Sequence, residues 1–383
     1  MKYVDEFRQP EKAEALFKAI DNLAAPLSDK LARAVHIMEF CGGHTHAIFR
    51  FGLEQRLSKS VELIHGPGCP VCVLPMGRVD DCVALAERPE VIFTTFGDAM
   101  RVPGSQKSLL QAKADGADIR MVYSPLDALN LAKKNPDREV IFFALGFETT
   151  MPSTALTVLQ AAEGNISNFS LFCNHITTVP ILESLLDSPT FNIDGFVVPG
   201  HVSMVVGEKP FATIAERYKK PMVITGFEPL DILQSLHMLL VQLQSGKPCL
   251  ENQYARVVQK AGNIPGLMAM QKVFELREKF DWRGLGEIDK SGVKITEEYA
   301  AFDAERKFAV PNLKVDDPHE CQCGEVLKGE IKPWQCKVFG APCTPQNPLG
   351  ALMVSSEGAC AAYYSFGNTK ELLDKRQEAR PSK

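Results

Sequence analysis

Short apolar, β-rich runs punctuate the first two thirds of the chain, at 36–40, 61–65, 91–96, 120–123, 140–145, 170–173, 195–198 and 222–225. Several are apolar at consecutive positions rather than alternate ones, the pattern of strands covered on both faces of a parallel sheet. A helical pattern usually follows each run. Strands alternating with helices predict an α/β architecture. Upstream, Leu16, Phe17, Ile20 and Leu23 recur at helical spacing, which predicts an amphipathic opening helix over 11–23.

The loops after these runs resemble one another: TFGDAM at 95–100, LGFETT at 145–150, VPGHVS at 198–203 and TGFEPL at 225–230. Each run ends in glycine followed by polar groups. Glycine lets the backbone turn sharply or approach a ligand. The carboxyl ends of strands in open α/β sheets line the binding crevice. For any one loop a tight turn explains the glycine. Four loops sharing the pattern predict two related α/β units facing a common cleft. The predicted division is 1–125 (opening helix and first unit), 126–240 (second unit) and 241–383, a helical to irregular part. Within the last part, 267–276 reads as helix and 284–286 as a turn. Residues 321–348 are rich in Cys, Gly and Pro, which predicts a small metal-held module. The charged tail from Lys375 is expected to fray.

At 383 residues, with 45% hydrophobic and 23% charged positions, the chain can bury two or three cores. A net charge of −5 gives no basic footprint for nucleic acid. No apolar run is long enough to span a bilayer, and the charged start lacks a signal-peptide core. Eleven cysteines in such a chain point to a reducing, cytoplasmic setting, where they act as ligands or redox groups. Cys82, Cys173 and Cys249 stand alone in apolar or helical surroundings and are expected to be buried small hydrophobes.

The remaining cysteines form two groups. Cys41 opens CGGHTH, with His44 and His46 close behind, and Cys69 and Cys72 lie in GPGCPVC. Soft thiolates and imidazoles on glycine-rich loops suit iron, zinc or thiol–disulfide chemistry. Pro70 within the CxxC pair and Pro75 just after it predict a stiff loop rather than a helix start. No second CxxC completes a ribbon-type zinc site. Cys323, Cys336, Cys343 and Cys360, separated by 12, 6 and 16 residues, could supply the four thiolates of a cubane cluster. Structural zinc is the rival there, and Cys321 is a spare. Glu357 either caps a helix end near Ser355 and Ser356 or reaches the cleft as a proton carrier. Neither GxGxxG with its downstream acid nor GxxxxGK[ST] occurs, which disfavours nucleotide binding.

Taken together, CGGHTH at 41–46, GPGCPVCVLP at 66–75, FGDAMRVP at 96–103, GFETTMP at 146–152, PGHVSM at 199–204, GFEPLD at 226–231 and MVSSEGACA at 353–361 resemble the HypD family of hydrogenase maturation proteins. The resemblance implies a cytoplasmic scaffold for [NiFe]-hydrogenase assembly. With a HypC-type small chaperone it would hold an Fe(II) ion while CN and CO ligands are attached, with cyanide from a HypE-type partner. The finished Fe(CN)2CO unit would pass to the hydrogenase large subunit. It further implies that Cys41, Cys69 and Cys72 are iron-site and redox thiols, and that Cys323, Cys336, Cys343 and Cys360 bind a [4Fe–4S] cluster. His44, Thr149, Thr150, His201 and Ser203 are then expected to line the cleft. A redox-active scaffold is expected rather than a conventional turnover enzyme. The competing expectation is a thiol–disulfide oxidoreductase carrying an iron–sulfur cluster.

Overall fold

The computed structural model describes residues 5–312 and 314–367; the expected frayed tail lies outside them. All eight runs are strands: β1 Val35–Glu39, β2 Val61–His65, β3 Val91–Thr95, β4 Ile119–Met121, β5 Glu139–Gly146, β6 Phe169–His175, β7 Gly195–Pro199 and β8 Met222–Thr225. A ninth, β9 Leu250–Asn252, was not legible, because its half-exposed Leu-Glu-Asn carries no apolar run. The opening helix spans Pro10–Leu31 and packs on the long helix Pro229–Ser245. No helix among the described residues is long and apolar enough to cross a membrane.

Two parallel sheets form the core, in the orders β2-β1-β7-β8-β9 and β4-β3-β5-β6. Their central strands are buried on both faces, as the apolar runs predicted. The chain does not divide at residue 125, however. It lays down β1 and β2, leaves to build the whole second sheet, then returns so that β7 pairs with β1. The second unit is therefore inserted into the first. Apolar periodicity marks a strand but carries no information on which distant strand it pairs with.

After β9 the chain forms the helix Ile264–Val273, which ends where the predicted helix was to continue. Phe274–Leu276 instead pairs antiparallel with Val293–Ile295. The expected turn at 284–286 joins a hairpin of Lys279–Trp282 and Gly286–Asp289. The C-terminal part has short helices at Cys323–Leu327 and Ala359–Phe366, the latter packed on the helix Gly42–Arg50. Cys82 and Cys173 are buried, but Cys249 is exposed. Cys249 precedes the edge strand β9; its backbone N–H donates to Gln242 Oε1 at 3.0 Å and its carbonyl accepts from the Met222 N–H at 3.0 Å, which leaves the side chain at the sheet edge.

This threading has a measurable consequence. A fragment of residues 1–125 holds β1 and β2 without β7, and β3 and β4 without β5. It should show no cooperative thermal transition by circular dichroism, whereas the full chain should. A cooperative transition in the fragment would contradict the inserted topology.

Candidate functional site

The carboxyl ends of the two sheets enclose a cavity of about 220 Å3. Cys41, Gly42, Gly43, Gly68, Pro70 and His201 line it from loops of the β1–β7 sheet, Gly146, Phe147, Thr149 and Thr150 from the loop after β5 of the other sheet, and Glu357 completes the lining. The expected Thr149, Thr150, His201 and Glu357 thus meet Cys41. Glu357 points to the cavity instead of capping a helix. Burial, then the nearby Asp98 and Glu39 charges, pushes its carboxyl up.

Ser203 does not reach the cavity. It is fully buried and its hydroxyl donates to the Pro199 carbonyl at 3.0 Å. His201 and Ser203 are two residues apart on the helix Gly200–Val206, so they leave it in nearly opposite directions. His44 also sits behind the wall rather than in it. Its Nε2 faces the carbonyls of Thr225 (3.2 Å) and Gly226 (3.0 Å), so that nitrogen carries the hydrogen. Its ring stacks on Phe227 at 4.5 Å, and Phe227 stacks on His201 at 3.8 Å. Burial, with His44 beside it, pushes His201 down to about 4, so a neutral imidazole faces the cavity at neutral pH.

Beneath Cys41 lies a carboxylate that sequence reading passed over. Glu39 ends β1 fully buried. It accepts from the Cys41 N–H (2.9 Å) and from the Thr45 hydroxyl, and pairs with His65 Nδ1 at 2.7 Å. An unpaired buried carboxylate costs several kcal/mol, on the order of what such pairing restores. Burial opposes the charge on His65, but the Glu39 and Glu54 carboxylates outweigh it and lift His65 to about 9. Glu54 in turn accepts from the Tyr363 hydroxyl at 2.5 Å, which ties β2 to the helix Ala359–Phe366. Burial, then Glu39, pushes the Cys41 thiol up to about 12. A charged residue inside an otherwise apolar run was the available signal for Glu39. Glu148, likewise buried, accepts from the N–H and hydroxyl of Thr178 and holds the opposite wall.

The CxxC pair lies in a turn, and the next helix, Met76–Ala86, starts only after Pro75. The loop is zipped to the Cys41 loop by Gly66 N–H to Glu39 O (2.8 Å) and Gly42 N–H to Gly68 O (3.1 Å). Gly68 packs so closely on the Phe40–Cys41 backbone that no side chain fits. A Cβ on Gly42 would stand 3.2 Å from Cys69 Cβ and 2.6 Å from Glu357 Oε2, so Cys69 lies just behind the cavity wall. The Cys72 N–H points at Cys69 Sγ at 3.3 Å. A Cβ on Gly358 would lie 3.0 Å from Cys72 Sγ, which places that sulfur against the segment carrying Cys360. Burial first, then Cys69, pushes the Cys72 thiol up, and Glu357 and Cys360 add to this.

Cys360 belongs to the second cysteine group. With Cys321, Cys323, Cys336 and Cys343 it lines one small, wholly apolar-faced pocket, together with Phe339 and Met353. Cys321, a spare in the sequence, is therefore a full member of the wall. The Cys323 hydrogen bond, helped by Arg283, pulls Cys321 down to about 7. None of the eleven cysteines, all among the described residues, is joined in a disulfide. No group of three or more Cys, His, Asp or Glu side chains among the described residues forms a ready site for a single metal ion. Five thiols around a shared apolar space match the donor chemistry of a multi-iron cluster.

Comparison with known proteins follows the same lines. A family model for HypD, described as the hydrogenase formation hypA family, matches residues 11–367. The chain is 58% identical over 374 residues to the hydrogenase maturation factor HypD of Rhodobacter capsulatus, covering 97% of this chain and 99% of the relative. It is 56% identical over 366 residues to the HypD of Escherichia coli strain K12, covering 96% and 98%. HypD2 of Bradyrhizobium diazoefficiens is 51% identical over 383 residues, covering 98% of this chain and all of the relative. With the cavity, the thiol loops and near full-length similarity in agreement, the chain belongs to the HypD family of hydrogenase maturation factors.

Proposed function

We propose that this hydrogenase maturation factor is the cytoplasmic scaffold on which the Fe(CN)2CO unit of a [NiFe]-hydrogenase is assembled. The observation that carries this reading is the continuity of sulfur from the cavity inward. Cys41 faces the cavity, Cys69 stands behind Gly42, and Cys72 lies against the segment of Cys360. Iron enters as cargo. Cys41 and a cysteine of a HypC-type chaperone hold it, while Thr149, Thr150 and His201 orient the small ligands. Thiolate is a soft donor and suits iron that takes strong-field cyanide and carbonyl. Binding requires the Cys41 proton to leave, because the thiolate is the ligand. A thiol pushed up to about 12 stays protonated until a metal ion displaces the proton.

A HypE-type partner brings cyanide as a protein thiocyanate. Breaking its S–CN bond takes two electrons. Cys69 and Cys72 supply them by passing from dithiol to disulfide. Of their two protons, one goes to the donor's sulfur and the other to Glu357, whose raised carboxyl can accept it. Cyanide goes to iron. Four of the five C-terminal thiols (Cys336, Cys343, Cys360 and one of Cys321 and Cys323) would hold a [4Fe–4S] cluster, which when bound would supply single electrons for returning the disulfide to the dithiol. The competing oxidoreductase reading accounts for Cys69 and Cys72 but gives the cavity-facing Cys41 no role.

The double variant Cys69→Ala/Cys72→Ala should lose the cyanide and carbonyl infrared bands of the anaerobically purified complex with the small chaperone. Undiminished bands would rule out the redox role. Serine variants at 321 and 323 should differ. Iron and acid-labile sulfide analysis should find the cluster kept in one and lost in the other. Retention in both, or loss in both, would contradict a four-thiol site.

A further inference from the structure

Arg283 occupies the tip of the hairpin between the two sulfur centres. Its backbone N–H donates to the Val73 carbonyl at 2.9 Å, just past Cys72. The next residue, Gly284, packs on the other centre, where a Cβ would stand 2.8 Å from Cys323 Sγ. The Arg283 side chain is only 1% exposed. Its Nη1 donates to Pro103 O at 3.1 Å. Asp317 Oδ1 comes within 2.6 Å of Nε as an ion pair, but off the hydrogen-bond direction. The Nε and Nη2 hydrogens thus meet no aligned acceptor. A residue that only pins the hairpin has no use for a buried guanidinium with unmatched donors, because unmatched donors are costly. The charge bears on Cys321 and Cys323, on the near wall of the thiol pocket.

We infer that Arg283 raises the reduction potential of the cluster held in that pocket, with Asp317 partly offsetting its charge. The inference rests on the cluster reading above. A cluster on four thiolates is anionic, and reduction adds one more negative charge. A fixed positive charge beside it favours the reduced state, and the low local dielectric strengthens the effect. Net charge, hydrogen bonds to sulfur and burial are the protein's means of setting such potentials. No proton moves, and the electron comes from outside, from dithionite in the test below. Arg283 acts through the cluster and touches neither cavity ligand nor substrate.

The test is an anaerobic redox titration of the full-length, cluster-loaded protein, followed by electron paramagnetic resonance of the reduced cluster, with iron and sulfide content measured for each sample. Arg283→Met should lower the reduced-to-oxidised ratio at fixed potential at least tenfold, about 59 mV for a one-electron couple. Arg283→Lys should retain most of the potential. Asp317→Asn should shift it the opposite way, upward. A merely loosened hairpin would not give opposite signs. If Arg283→Met fails to hold its cluster, Asp317→Asn decides: an upward shift supports the inference, and no shift or a downward one overturns it. A cluster signal in the unmodified protein with unchanged midpoints in the variants overturns the inference alone. No cluster signal in the unmodified protein overturns it together with the reading beneath it.

Discussion

The close approach of three backbone segments is the constraint on which the rest of the site depends. Gly68 lies against Phe40–Cys41, Gly42 between Cys69 and Glu357, and Gly358 against the sulfur of Cys72. Forcing even one methyl into such a contact typically costs about 1–3 kcal/mol. A domain has only about 5–15 kcal/mol of net stability, so three such contacts tolerate little change. Here glycine serves for want of a side chain, since none of the three has the positive φ that favours glycine. What the missing side chains allow is sulfur near sulfur, across segments far apart in the chain.

Electrostatics under the cavity work in the same direction. Glu39 brings a carboxylate to a fully buried place, and three partners satisfy it. His65 answers it with a positive charge, and Glu54 and Tyr363 extend the network to the helix of Cys360. The cysteine loops at the cavity and the C-terminal thiol pocket are therefore joined twice, by packing at Gly358 and by this polar chain. A protonated Cys41 above a fixed carboxylate favours exchange of its proton for a cation over a free thiolate. The neutral His201 on the next loop of the same sheet adds a polar group to the cavity without adding positive charge.

Much of this was legible in the sequence, for identifiable reasons. Short apolar, β-rich runs marked all eight principal strands, several of them apolar on both faces, and repeated Gly-polar loops marked the cleft. Sheet membership was not legible, because β7 returning to β1 is a long-range pairing that leaves no local trace. Cys41, Glu357, Thr149, Thr150 and His201 line the cavity, whereas His44 and Ser203 point away from it, because motif membership does not encode side-chain direction. Cys321 was set aside for lying two residues from Cys323. The turn before the short helix Cys323–Leu327 brings both sulfurs to one pocket all the same. Arg283 has no motif around it. Its importance comes from burial and from the two loops it touches, both tertiary facts.

In the proposed function, electrons reach the Cys69–Cys72 pair through the C-terminal thiol pocket. Differential alkylation with mass spectrometry tests it most directly. Anaerobic full-length protein oxidised to the 69–72 disulfide would receive two electron equivalents and then be alkylated. New thiols confined to Cys69 and Cys72 in the unmodified protein, and missing in Cys360→Ser, are the predicted result. Equal appearance of those thiols in Cys360→Ser would contradict it.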